Sequence, residues 1–196
     1  MKRKAQVSRR TNETDISLNL VVEGTGNSKV ESGNGFMDHM LTLFAKHGRF
    51  ELELTCKGDT NVDFHHSAED IGICLGQAVA KAVGAGKGII RYGWAYVPMD
   101  ESLGRVCIDL CGRPNLVYAV ELRDRTVGTF DCDLAEDFFK AFADNARLTM
   151  HVDLLRGRNS HHSLEALFKA AGRALDGALR IDPAAADMIP STKGII

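Results

Sequence analysis

At 196 residues the chain is long enough for one large domain or two small ones that share a core. With 44% hydrophobic and 26% charged residues it reads as globular with a sizeable buried interior. A formal charge of only −2 excludes the broad basic field that grips nucleic acid, so any anion site must be local. No stretch approaches the roughly 20 apolar residues of a membrane helix, and the basic start from Met1 to Arg10 has no apolar run behind it. A cytoplasmic location with no membrane or nucleic-acid partner is expected. The cysteines Cys56, Cys74, Cys107, Cys111 and Cys132 are an odd set without C-x-x-C spacing, which predicts buried, reduced thiols.

In chain order, residues 1–12 are polar and read as an arm, ordered only if something binds it. Ile16, Leu18, Leu20 and Val22 alternate with polar residues, the mark of a half-buried strand. A turn at Gly24–Asn27 leads to a short strand ending at Glu31. A helix is predicted over 36–47, a strand over 50–56 and an Ala/Gly-rich helix over 66–83. Strands at about 93–98, 104–111 and 115–121, a helix over 133–146, a strand over 147–153 and a helix over 161–179 follow. The expected fold class is α+β, a tandem duplication of a β-β-α-β-α half-domain with sheets backed by helices. The halves run from about 13 to 92 and from 93 to 182, and a tail over 183–196 follows. No Pro/Ser-rich linker separates them, so they are expected to pack as one unit.

The chemistry concentrates in a repeated motif. His65-His66-Ser67-x-Glu69 and His161-His162-Ser163-x-Glu165 share one lettering and lie 96 residues apart (161 minus 65), each opening the last helix of its half. On a helix, positions i and i+4 share a face, so His65 with Glu69, and His161 with Glu165, can grip one ion. His66 and His162, rotated about 100° away, must face a second ion or a different partner. Imidazole with carboxylate suits manganese, iron, cobalt or zinc, and the lack of thiolate argues against a closed structural zinc site. One such motif would read as a solvated helix face. Two read as metal donors, because adjacent histidines are poor core residues when each ring needs partners on two nitrogens. His39, in Gly35-Phe36-Met37-Asp38-His39-Met40-Leu41, begins a helix, with Asp38 placed to orient it. The duplication puts its counterpart near Glu136-Asp137. Open coordination positions on two ions would mean catalysis.

The segments Gly35–Leu41, His65–Asp70, Asn159–Ala170 and Pro190-Ser191-Thr192-Lys193-Gly194, with Arg9-x-Thr11-x-Glu13-Thr14 near the start, resemble the signatures of the imidazoleglycerol-phosphate dehydratase family over essentially the whole chain. The resemblance implies a ribosomal-protein-S5-domain-2-like duplicated fold, two Mn2+ per active site, and sites completed between subunits of a 24-subunit homo-oligomer. It implies His39, His65, His66, Glu69, His161, His162 and Glu165 as metal ligands that also face the substrate. Where the family commonly has a histidine in E-H-F-F, this chain has Asp137, which still offers an oxygen; His151, on a strand, is the other candidate for that position. The tail residues Ser191, Thr192 and Lys193 offer hydroxyls, an ammonium and backbone amides to a phosphate. Arg91, Arg113, His47 and Lys169 are implied as further phosphate or substrate contacts, although Arg91 and Lys169 also read as helix-end or solvated charges.

The implied reaction removes water from imidazoleglycerol phosphate to give imidazoleacetol phosphate in histidine biosynthesis, a hydro-lyase step. The proton to be lost is not acidic, but the departing hydroxyl is on the carbon beside the ring. Metals on the ring nitrogens, held by His65 and His161, would make the ring imidazolate-like, so that it expels the hydroxyl as a diazafulvene-type intermediate. Glu13 is the candidate proton shuttle. A di-metal hydrolase would instead release phosphate, and a metal-assembled structural protein would not bind imidazole phosphonates.

Overall fold

The computed structural model describes residues 2–196 and turns the alternating segments into two four-stranded sheets of one topology. The first half runs β1 (Lys4–Arg10), β2 (Thr14–Val21), β3 (Ser28–Glu31), α1 (Gly35–Gly48), β4 (Glu51–Gly58) and α2 (His65–Val83). The second runs β5 (Tyr92–Met99), β6 (Ser102–Asp109), β7 (Asn115–Ala119), a short ribbon of β8 (Thr126–Val127) and β9 (Phe130–Asp131), α3 (Leu134–Ala146), β10 (Thr149–Arg156) and α4 (Ser160–Leu179). Strand order is β1-β2-β4-β3 in one sheet and β5-β6-β10-β7 in the other. In each, the third strand of the half pairs parallel with the strand between the two helices.

Two sequence expectations are corrected. Residues 4–10 are not a free arm but an edge strand paired antiparallel with β2 from Lys4–Val21 to Arg10–Asp15. Burial alternates along it, with Val7 buried and Ala5 and Arg9 half-buried, but only Ala5 and Val7 of that face are apolar, too short a run to read as a strand; main-chain pairing forms it, and polar side chains suit its edge position. Arg9 ties it down through an ion pair with buried Asp70 of α2 at 2.9 Å. The first half is therefore β-β-β-α-β-α, which matches the three strands expected at 93–98, 104–111 and 115–121 in the second and makes the repeated unit one strand longer than β-β-α-β-α. The duplication reaches backbone detail: α1 and α3 both end on a left-handed arginine, Arg49 (φ 58°) and Arg147 (φ 56°).

The helices of each half cover one face of its sheet, and the two helical layers pack on each other as the pairs α1·α4 and α2·α3. Each pair thus takes one helix from each half. Phe138, Phe139 and Phe168 cluster between them, with ring centroids 4.8–5.4 Å apart. Glycine permits the close crossings. A Cβ on Gly172 would sit 2.3 Å from Phe44 O, and a Cβ on Gly76 would sit 2.6 Å from Phe142 O, the duplicated contact. Gly172→Ala is therefore expected to force α1 and α4 apart and cost about 1–3 kcal/mol, lowering the melting temperature by several degrees in a calorimetric scan.

All five cysteines are free; four are buried and Cys107 is half-buried. Burial pushes the Cys74 thiol up to about 12. Among the described residues no helix is long and apolar enough to cross a membrane.

Candidate metal centre

The α4 start is set by Asn159, whose side chain accepts from His162 N and fixes the first turn. That register puts His161 and Glu165 on one face, with Nε2 of His161 3.1 Å from Glu165 Oε1. Parallel packing of α1 brings His39 in from the other half, its Nε2 2.8 Å from the same oxygen. Among the described residues, His39, His161 and Glu165 are the one group of three or more such side chains whose donor atoms lie within 4.8 Å of one another. Glu165 is buried, which raises its pKa, but the hydrogen bonds from Lys169, His39 and His161 and the nearby Lys169 charge outweigh this and bring it down to about 2. The Lys169 ammonium sits 2.5 Å from Glu165 Oε2.

The duplicated location pairs His65 at the start of α2 with Asp137 of α3, Nδ1 to Oδ2 3.5 Å. Here Glu69 is exposed, whereas its counterpart Glu165 is buried. The pair borders a cavity of about 480 Å³ that also carries Asp63, Asp131 and Asp133.

The second histidine of each motif faces away from these groups. His66 Nδ1 lies 3.0 Å from Asp59 Oδ2, and His162 Nδ1 lies 2.9 Å from Glu101 Oε2. A carboxylate on Nδ1 selects the tautomer protonated there and leaves the Nε2 lone pair free to ligate. Both histidines are shifted upward by these hydrogen bonds, and the one from His162 leads the causes that hold Glu101 down at about 2. Their Nε2 atoms lie 3.8 Å from Glu13 and Asp100 carboxylate oxygens respectively. Glu101→Gln is expected to weaken divalent-metal affinity about 10-fold or more with little change in melting temperature, read by metal titration calorimetry.

The remaining site candidates occupy other places. Asp38 does not orient His39: its Oδ1 accepts from Ser32 N at 2.7 Å, and Glu165 takes that role. His47, at the end of α1, is lowered by burial and then by the Lys169 and Arg173 charges. Arg91, with φ 75°, sits in a two-pronged pair with Asp109 (2.7 and 3.2 Å) and donates to Pro190 O at 2.8 Å. It thereby pins the tail that carries Ser191, Thr192 and Lys193, the last two exposed. Arg113 reaches Cys111 O at 3.4 Å, at the same end of the molecule. His151 is exposed on β10, outside both donor groups. Sequence reasoning missed Asp59, Glu101 and Asp109. Glu101 lies 61 residues from His162, so no local spacing marks it.

Fold and centre together define a duplicated α+β protein whose two halves pool imidazole and carboxylate donors at the helix-layer interface. The family model described as imidazoleglycerol-phosphate dehydratase matches residues 32–175. A relative from Ralstonia nicotianae with that name is 53% identical, covering all of both chains. One from Cupriavidus pinatubonensis is 54% identical over 99% of this chain and all of its own. The crystal structure of the Staphylococcus aureus enzyme aligns with a TM-score of 0.83 at 42% identity over 91% of this chain and 99% of that one. The Pyrococcus furiosus enzyme, solved in complex with (S)-C348, aligns with a TM-score of 0.84 at 33% identity over 97% of this chain and 100% of that one. The chain belongs to the imidazoleglycerol-phosphate dehydratase family, hydro-lyases of histidine biosynthesis.

Proposed function

We propose that the chain dehydrates imidazoleglycerol phosphate to imidazoleacetol phosphate in the cytoplasm, using two Mn2+ ions per active site. The observation that carries this reading is the meeting of His39, His161 and Glu165 within bonding reach of one point. Its donor set, two ring nitrogens and a carboxylate with no thiolate, fits an open divalent site. When bound, such ions would supply Lewis acidity at the substrate's ring nitrogens, favouring the imidazolate-like form of the ring that can push the hydroxyl out.

The chain's own residues do the rest. Glu165 and Asp137 bring negative charge to balance each ion, and Asp59 and Glu101 hold His66 and His162 with Nε2 outward. Glu13, its backbone N–H bound by Thr11 Oγ1 at 3.1 Å, has an exposed carboxylate beside His66 and is the group that carries the proton between the glycerol carbons. Arg91 orders the Ser191–Lys193 segment, whose hydroxyls and ammonium take the phosphate.

One chain cannot supply all of this to one small molecule. Arg91 N–H binds Ala178 O near the end of α4, while His161 is at its beginning. At about 1.5 Å per residue the two lie roughly 25 Å apart. Donors from one copy and a tail from another, in a closed homo-oligomer of 24 subunits, resolve this. Chelated protein and an H65A/H161A variant are each expected to form imidazoleacetol phosphate at less than about one-thousandth of the Mn2+-loaded rate. Full turnover by either, or release of inorganic phosphate in place of the ketone, overturns the reading.

A further inference from the structure

We infer that the two donor sets of each chain hold their ions unequally: the His39–His161–Glu165 set takes borderline ions tightly, and the His65–Asp137 set is a weaker seat selective for hard, oxygen-preferring ions. The inference rests on the metal reading above and deepens it.

The duplication makes the comparison internal. Packing α1 on α4 and α2 on α3 places His39 and Asp137 at matching positions, opposite His161 and His65. The first set therefore offers two imidazoles and a buried carboxylate, with the rings and oxygen already drawn together at 2.8 and 3.1 Å. The second offers one imidazole and one aspartate 3.5 Å apart, both about half exposed, with Glu69 turned to solvent. Lys169, which holds the far oxygen of Glu165, has no counterpart: the matching position in α2 is Ile73. Among the described residues nothing positions Glu69 in the same way.

The surroundings differ in the same sense. The Asp137 seat opens into a cavity of about 480 Å³ bordered by Asp63, Asp131 and Asp133. Asp63 accepts from His65 N at 2.8 Å, and Asp131 accepts from Asp133 N at 3.1 Å, so their charge is fixed close by. A space that size keeps several waters on the ion. Carboxylate and water suit manganese and magnesium, whereas paired imidazoles suit zinc, cobalt and iron. A less preorganised set also gives up its ion sooner.

The test uses the full-length oligomer loaded with Mn2+ and dialysed against graded chelator, with ions per chain counted by plasma mass spectrometry and Mn2+ followed by electron paramagnetic resonance. Wild type is expected to release its ions in two classes separated by about tenfold or more in chelator, and Zn2+ is expected to displace Mn2+ from one class only. In D137H the classes should merge and both should accept Zn2+. Release in a single class by wild type, or a splitting unchanged in D137H, overturns the inference while leaving metal binding intact. A protein that retains no Mn2+ in either form overturns both.

Discussion

Glu165→Ala is expected to lower the melting temperature of the metal-free chain by about 6–12 °C and to abolish divalent-ion binding by the His39–His161 pair. The carboxylate is buried and faces three cationic or proton-donating groups: Lys169 on one oxygen, His39 and His161 on the other. Deleting it leaves the Lys169 ammonium, itself mostly buried, with only the Met99 sulfur at 3.3 Å among the described residues. Removing one partner of such a pair costs about 3 kcal/mol or more, and a chain of this length loses roughly 2–4 °C for each kcal/mol. The double variant E165A/K169M should recover much of the loss, because no charge is then stranded. The pH dependence has a definite sign. Glu165 ionises at about 2 in the folded chain against roughly 4.3 unfolded, so its contribution is complete above the unfolded value. That contribution disappears as pH falls toward 2. Scanning calorimetry of wild type, E165A and E165A/K169M at neutral pH and near pH 3 checks both parts; an unchanged melting temperature in E165A removes Glu165 from its anchoring role.

Much of this centre was legible because the chain carries it twice. One H-H-S-x-E is ambiguous, but two copies at helix starts fix the donors, the helix phase and the duplication together. What local pattern does not encode is which donors meet. The i, i+4 geometry links His65 with Glu69, yet packing leaves Glu69 in solvent and sets Asp137 of the other half beside His65. His39 likewise joins His161 across the halves, a pairing made by the α1·α4 crossing that Gly172 permits. Strand β1 escaped notice for a different reason: its inward face carries only Ala5, Val7 and Arg9, so the alternation in burial is nearly invisible in residue type. Asp59 and Glu101 sit in turns, where a carboxylate is ordinary until the fold places a ring nitrogen beside it.

Mixing two inactive chains is expected to restore turnover. H161A loses the tight donor set, and R91A loses the guanidinium that holds Pro190 and the tail behind it. Each alone should fall below about one-hundredth of the wild-type rate, since on the proposed reading one would lack the Lewis acid and the other would present the Ser191–Lys193 tail unordered to the phosphate. In one chain these features sit at opposite ends of α4, roughly 25 Å apart by helix rise, more than twice the reach of a small imidazole phosphate. On the proposed reading a working site draws His161 from one copy and Arg91 from another. In a randomly mixed oligomer about one site in four receives an intact contribution of each kind, so activity near a quarter of wild type should return on co-expression. Differently tagged chains purified in tandem establish that both variants share one particle. If that doubly tagged particle stays as inactive as its parents, donors and tail must serve the same chain's substrate. The tail would then have to leave Arg91 and cross the length of α4. Arg91's paired contact with Asp109 and its bond to Pro190 O oppose that movement, because both would break together.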